Sequence, residues 1–357
     1  MNQKPPQQSV DRKYTRSKVK SPASGFALIL VLWVLSLLTI MAGSFALTMR
    51  RESTITAGIK DNAGAVAAAE AGIAFAEMML LHPEQNKRWR TDGNIYEVDF
   101  GDTQIRLRLL SEAGKIDINK ANLQLLQGLM AQMPIDEEQQ AKIIGAILDW
   151  RDPDSLLNID GAEKKEYRKA GLKYQPRNKP FQTVEELQMV LGMDEQVFNR
   201  LEPIITIYSG QPQVNLKLAT PKVLHMLPSL DADLIASFVA TRLDNAKNDL
   251  PAPEFPSAMV GGTAGAGVGA GAASNNETVT IISEALLPDN TSAVVTATVM
   301  KSGGGTQTGQ LPDGANSQSS IFKILKWQRN PANQEPLFTD EMNGLLVKQY
   351  GEPELND

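Results

Sequence analysis

The sequence predicts an α+β protein: one long N-terminal helix, a small antiparallel sheet, and a large all-helical domain inserted between strands of that sheet. Three observations predict it. Residues 26–47 (FALILVLWVLSLLTIMAGSFAL) carry no charge and run without a break into an Ala-rich helical pattern. Alternating, β-branched stretches appear near residue 95 and again after residue 277. Between them lies a long region of helical periodicity. A chain of 357 residues has room for two or more folded units.

The apolar stretch matches the ~20 residues a helix needs to cross a hydrocarbon core. Residues 1–25 hold Lys4, Arg12, Lys13, Arg16, Lys18 and Lys20 against Asp11 alone. The formal net charge of −6 therefore divides into +5 on this leader and −11 on the remainder. Only Arg50 and Arg51 flank the far end, so the charge asymmetry predicts a cytoplasmic N-terminus and a body on the other side of the membrane. Residues 1–20 read as disordered. Two processing sites are conceivable: a signal-peptide cut near Gly43-Ser44, or a cut after Gly25, which would leave the apolar helix on the mature chain.

Residues 52–81 are rich in helix formers and lack proline until His82-Pro83. Ile55, Ile59, Ala63, Val66, Ile73 and Met78 are expected on one packed face. A hairpin follows, alternating over 95–100 and 104–110 around Gly101-Asp102. Helices are predicted over 123–133 and 136–152, with Asp136 as N-cap. Segment 115–130 (KIDINKANLQLLQGLM) has a counterpart at 213–227 (QVNLKLATPKVLHML), which continues into ADLIASFVATR, so two helix-hairpin units are expected. Strands return at 277–287, 292–301 and 320–329. The predicted organisation is a leader over 1–25, a membrane helix over 26–47 and its continuation over 48–82. A β-domain is split between 83–113 and 277–330 around an inserted helical domain at 114–243. A Gly/Pro-rich flexible loop spans 244–276, and a polar tail 331–357.

Several chemistries lack their residues. Without cysteine there is no disulfide or thiolate site, and His82 and His225 have no partner at ligand spacing. The glycine run at 261–274 lacks the Gly-Lys-Ser/Thr ending of a phosphate loop, and neither Gly-x-Ser-x-Gly nor His-Glu-x-x-His occurs. No enzyme is expected. The acidic body opposes nucleic-acid binding, and the hairpins Met133-Pro134-Ile135-Asp136 and Pro228-Ser229-Leu230-Asp231 carry an acid, not paired glycines, where phosphate would sit. The acids around 149–163 could either hold a hard cation through oxygen ligands or form a solvated loop balanced by Lys164, Lys165, Arg168 and Lys169.

A small residue directly before the apolar run resembles the leader of type IV pilins and type II secretion pseudopilins. Together with AAAEAG (67–72), GKIDINKA (114–121), ILDWRDPDS (147–155), DGAEKKEY (160–167), VEELQMVLGM (184–193), LEPIITIYS (201–209), VNLKLATPKVL (214–224) and IFKILKWQR (321–329), the chain resembles the type II secretion minor pseudopilin K family. The resemblance implies a pseudopilin fold with a large inserted helical domain. It implies prepilin-peptidase cleavage between Gly25 and Phe26, with methylation of the new N-terminus, and an inner-membrane, single-pass location with a periplasmic body. It further implies a place at the pseudopilus tip with minor pseudopilins I and J, contact with the inner-membrane secretion platform, and a role in initiating the pseudopilus and exporting folded proteins. Structural calcium is implied, with Asp149, Asp152, Asp154, Asp160 and Glu163 as the matching acids. Lys164-Lys165 and Lys217-Leu218 depart from the family pattern. Leu30 stands at mature position five, where most pilins place a glutamate that pairs with the amine of a neighbouring subunit, so its absence suits a topmost subunit. The rival readings are a minor pilin of a related type IV filament and a membrane-anchored helix-hairpin-helix DNA receptor.

Overall fold

A computed structural model describes residues 24–228, 230–256, 268–269, 277–301 and 321–351. The leader before Ser24 and most of the glycine run at 261–274 lie outside these residues. The chain divides into two compact units, Met1–Lys60 and Asp61–Asp357.

Within the first unit the described residues belong to helix α1 (Ser24–Leu80), 57 residues and about 85 Å long at 1.5 Å per residue. From Phe26 to Met49 its large apolar side chains are all exposed, Trp33 the most so at 75%. A helix apolar on every side has no polar face to offer water, and α1 is long and apolar enough to cross a membrane.

The second unit begins with the last turns of α1 and continues through β1 (Asp92–Phe100) and β2 (Thr103–Ser111). Next come β3 (Ile116–Asp117), α2 (Leu123–Met130), α3 (Glu137–Arg151), α4 (Lys164–Lys169), α5 (Glu195–Leu201) and β4 (Ile205–Thr206). They are followed by β5 (Val214–Asn215), α6 (Pro221–Met226), α7 (Ala232–Lys247) and β6 (Val268–Gly269). The chain closes with β7 (Thr278–Leu286), β8 (Ser292–Lys301), β9 (Phe322–Arg329), α8 (Asp340–Asn343) and β10 (Leu346–Tyr350).

One sheet runs in the order β10-β1-β2-β7-β8-β9, antiparallel except for the β1–β10 pair. Strands β2 and β7 are neighbours in register from Gln104↔Leu286 to Ser111↔Val279. The intervening helical block therefore leaves the sheet and returns to it at one place, without disturbing the ladder. One sheet face (Ile105, Leu107, Leu109, Ile281, Val295, Ala297, Val299) packs against Ala69, Ile73 and Ala76 of α1.

The buried face of α1 differs from the one expected. Ile55, Ile59 and Met78 are exposed, and small residues (Ala65, Ala69, Ala76) with Ile73 face inward. The reason is close approach: a Cβ on Gly72 would overlap Ser283 Oγ and the Ile105 side chain, so only a bare backbone brings helix and sheet this near. Beside this contact Trp89 stacks on Tyr96 at 4.2 Å and donates its indole N–H to the Tyr350 hydroxyl at 3.0 Å.

Three expectations need correction. The polar tail at 331–357 instead supplies α8 and the edge strand β10. Its Leu337 and Met342 are buried against Ile95 and Ile282, covering the second face of the sheet. The helical block is not all-helical, since β3 pairs with β4 and β5 with β6. The composition change at Asp244 does not end a helix: α7 continues to Lys247, and Phe255 folds back edge-on against Phe238 at 4.8 Å. Apolar side chains spaced too far apart to show periodicity account for the first and third; two-residue strands are too short to alternate.

The two hairpin units are equivalent in detail. In the first, Asp117 accepts from the Asn119 N–H, Asn122 caps α2 and Asp136 caps α3. In the second, Asn215 accepts from the Lys217 N–H, Thr220 caps α6 and Asp231 caps α7. From the second long helix of each unit an arginine reaches back to two carbonyls: Arg151 to Ile118 and Ala121, Arg242 to Lys217 and Ala219.

Block and sheet meet through buried charge. Glu112 accepts from Thr206, from Thr280 at 2.7 Å and from Lys115 at 2.7 Å. Arg242 lies 3.8 Å from Asp92, both almost wholly buried. Arg90 donates to the carbonyls of Arg242, Asn245 and Leu250.

Candidate functional site

The acids singled out from the sequence lie at the C-terminal end of α3 and in the loop beyond it. Helix α3 starts on the Asp136 cap and buries Ile143, Ile144, Ile147 and Trp150, which carries Asp149 into the interior with them. Trp150 stacks on Phe181 at 5.9 Å and lies obliquely to Tyr167 at 6.2 Å, forming an aromatic wall beside the acids. Asp152 caps the helix C-terminus.

Asp149 is fully buried; its Oδ1 accepts from the backbone N–H of Asn158 at 3.0 Å and from that residue's side-chain amide. The same amide donates to Asp152 Oδ2 at 3.1 Å. Asp154 Oδ1 accepts from the Leu156 N–H at 2.8 Å, and its carbonyl accepts from Asn178. That Asn178 amide also reaches Glu163 Oε1 at 3.3 Å, and Glu163 caps α4 in a reciprocal arrangement with Glu166. Two carboxylate oxygens, Asp149 Oδ2 and Asp152 Oδ1, are buried without a partner. Gly161 is required here, because a Cβ would overlap Asp149 Oδ2. Gly145 performs a similar service on α3, where the backbone of 159–161 lies directly against it.

The electrostatics follow. Burial and then the neighbouring carboxylates push the Asp152 pKa above its ordinary value, and burial followed by the charge of Asp149 does the same to Glu163. Among the described residues none of the five acids forms an ion pair with Lys or Arg. Lys169 is 3.6 Å from Glu166 and Arg151 is turned inward. The structure thus brings together Asp149, Asp152, Asp154 and Glu163. Asp160 stands apart: it is exposed, its backbone has φ 56°, and its charge acts on Lys142. Among the described residues no three acidic side chains converge at metal-ligand spacing, since the Asn158 amide bridges Asp149 and Asp152. The donor set nevertheless fits a hard cation: it is all oxygen, partly buried, uncompensated, and holds two unpaired lone-pair sites. Asn158 and Asn178 were not singled out from the sequence, because amides that bridge carboxylates across a loop have no spacing signature.

The other sequence-derived residues sit on α1: Gly25 in its first turn, Phe26 and Leu30 exposed on the apolar surface. At the hairpins, Asp136 and Asp231 accept from the first N–H groups of α3 and α7. A phosphate would have to displace those carboxylates, so these helix ends are occupied from within.

A long exposed apolar helix joined to an α+β body, with a helical block looped out of adjacent sheet strands, is the arrangement that the resemblance to pseudopilins implies. A model of the family described as type II secretion system (T2SS), protein K, matches residues 104–210. The type II secretion system protein K of Aeromonas hydrophila is 26% identical over 255 residues, covering 63% of this chain and 74% of that protein. Its namesake from Klebsiella pneumoniae is 25% identical over 228 residues, covering 58% and 69%. Among solved structures, a chain of the GspK-GspI-GspJ complex from enterotoxigenic Escherichia coli matches with a TM-score of 0.48 at 14% identity, over 80% of this chain and 99% of that one. Over these residues the chain is similar to proteins described as type II secretion system protein K.

Proposed function

We propose that this chain is a minor pseudopilin that occupies the tip of the type II secretion pseudopilus and helps initiate it, with no catalytic role of its own. Residues 26–47 anchor it in the inner membrane, the N-terminus faces the cytoplasm, and the body lies in the periplasm. The observation that carries the reading is Leu30. A subunit lower in the row needs an acid there to neutralise the amine of its neighbour inside the membrane, where an unpaired charge is costly. Leu30 offers no acid on a helix that carries no charged side chain from Phe26 to Met49. Prepilin peptidase cuts between Gly25 and Phe26. The partners, as the likeness to protein K relatives implies, are minor pseudopilins I and J and the secretion platform.

Calcium is the second part of the proposal. Asp149, Asp152 and Glu163, with Asp154 beside them, would hold the ion, and it would supply the positive charge their surroundings lack. Asp160 would join only if the loop shifted.

Mass spectrometry of the chain from its native membrane tests the anchor: a start at Phe26 is expected, and a start near Ser44 would refute the reading. Pull-down of full chain with pseudopilins I and J in detergent tests the partners. Leu30→Glu is expected to impair assembly; normal assembly and secretion by that variant would remove the argument from Leu30. For the ion, adding calcium after chelation should raise the melting temperature. Saturation at 100 times Kd corresponds to about 2.7 kcal/mol, and no shift would exclude the site.

A further inference from the structure

The body is acidic, yet residues 164–179 (KKEYRKAGLKYQPRNK) hold seven cations against Glu166 alone. Lys169 pairs with Glu166 and Arg177 with Glu186. Among the described residues Lys164, Lys165, Arg168, Lys173 and Lys179 are exposed and join no ion pair. These cations flank the loop between α3 and α4. The Asn178 amide bridges the Asp154 carbonyl and Glu163 Oε1, and the Lys179 N–H donates to the Trp150 carbonyl at 3.2 Å. Lys179 and Lys164, the next residues along, therefore leave the fold at the base of that loop. From the same base project Leu156 at 76% exposure, Leu157 at 56% and Ile159 at 91%. A loop free to rearrange would fold such side chains inward. Here Asp149 and Asp152 hold Asn158, and the backbone of 159–161 is seated on Gly145, so the polar side chains have taken the inside.

We propose that this aliphatic tip and its cationic rim dock on the surface of a bilayer that contains anionic phospholipid. Charge is the first reason. Five cations without a partner in the fold complement a layer of anionic headgroups, and they outnumber Asp154 and Asp160, the exposed acids of the loop. Shape is the second. Side chains exposed at 76% and 91% have no wall beside them, so a protein partner would need a cleft cut to fit them. The boundary between headgroups and acyl chains is fluid and takes a projecting apolar tip of any outline, with the basic side chains left at headgroup level. The docking is independent of the chain's place in a pseudopilus.

The chain has no cysteine, so Ser155→Cys gives one attachment point for a polarity-sensitive dye beside the tip and leaves all three aliphatic residues in place. The full labelled chain is held by α1 in a phosphatidylcholine nanodisc and titrated with separate vesicles. Vesicles of phosphatidylcholine mixed with phosphatidylglycerol are expected to shift the dye emission to the blue, and high salt should abolish the shift. Replacing Lys164, Lys165 and Arg168 together by Gln should weaken binding about 100-fold, with an unchanged melting temperature. The loss in high salt is read on the chain with all its cations and so holds whatever the fold of that variant. No shift with the mixed vesicles, an equal shift with phosphatidylcholine alone, or undiminished binding by the Gln variant would each overturn the proposal. The same shift on adding soluble polyglutamate would make the surface a reader of acidic protein, and the lipid assignment would fall.

Discussion

Replacing Arg242 by Met tests how the helical block is fixed to the sheet. Arg242 is 3% exposed and Asp92 2%, and the guanidinium also donates to the carbonyls of Lys217 (3.0 Å) and Ala219 (2.7 Å). Methionine keeps the aliphatic stem beside Phe238 but removes the charge and both donors. Breaking a buried pair from one side costs about 3–5 kcal/mol, and the two orphaned carbonyls favour the upper end. Asp92→Asn should cost less, about 1–3 kcal/mol, since Arg242 keeps its carbonyl partners. The double variant should lose less than the sum, by about 0.5–3 kcal/mol. Burial holds the Asp92 pKa above its ordinary value despite Arg242 and Arg90. With the folded value raised above the unfolded one, ionisation opposes folding: the contribution of Asp92 declines as pH rises from about 3.9 through the folded value and is flat above it. Arg242→Met pushes that value higher, so its cost should be smaller at pH 5 than at pH 7.5. Urea unfolding of the full chain in detergent, followed by tryptophan fluorescence at both pH values, measures this. A loss under about 1 kcal/mol at pH 7.5, or equal costs for Arg242→Met and Asp92→Asn, would refute the reasoning.

Gly161→Ala should expel the Asp149 carboxylate from its seat. The expected result is about 1–3 kcal/mol of destabilisation from overpacking and weaker calcium binding by calorimetry, and unchanged binding would remove Asp149 from the ligand set. Trp89→Ala takes away the ring that joins Tyr96, Phe75 and Tyr350; about 3–5 kcal/mol should be lost in thermal melts. Ending the chain after Pro336 strips Leu337, Met342 and β10 from the sheet, so hydrogen exchange in β1 should rise sharply while α2 and α3 keep their protection.

Much of the fold was legible because it rests on periodic or punctuated stretches. The uncharged run at 26–47, the Gly101 turn and the cap Asp136 each carry a local signal that the structure repeats. What stayed hidden is long-range. Gly72 carries no local sign of a contact, although its lack of a side chain is what brings α1 onto Ser283 and Ile105. Leu337 and Met342 are single apolar residues in a polar stretch, and only the sheet face they cover gives them meaning. In the candidate site the acids were visible as a cluster. Their sorting into four that act on one another and one, Asp160, that acts on Lys142 depends on how the loop settles around Gly145 and Gly161.

The paired hairpin units show how a scaffold suited to phosphate can be closed to it. Each second helix has its N-terminal N–H groups taken by its own aspartate, Asp136 or Asp231. Each also spends an arginine, Arg151 or Arg242, on carbonyls of the preceding turn instead of on the surface. Burial lowers the pKa of both arginines, so each site stabilises charge less well than water does. Such charges are retained where geometry matters. Arg242, unlike Arg151, forms an ion pair among the described residues, with Asp92 of β1, so the same inward-turned arginine that completes its hairpin also ties the block to the sheet. The repeat that completes each hairpin in the same way is thus used in one copy as a joint between the two parts of the body.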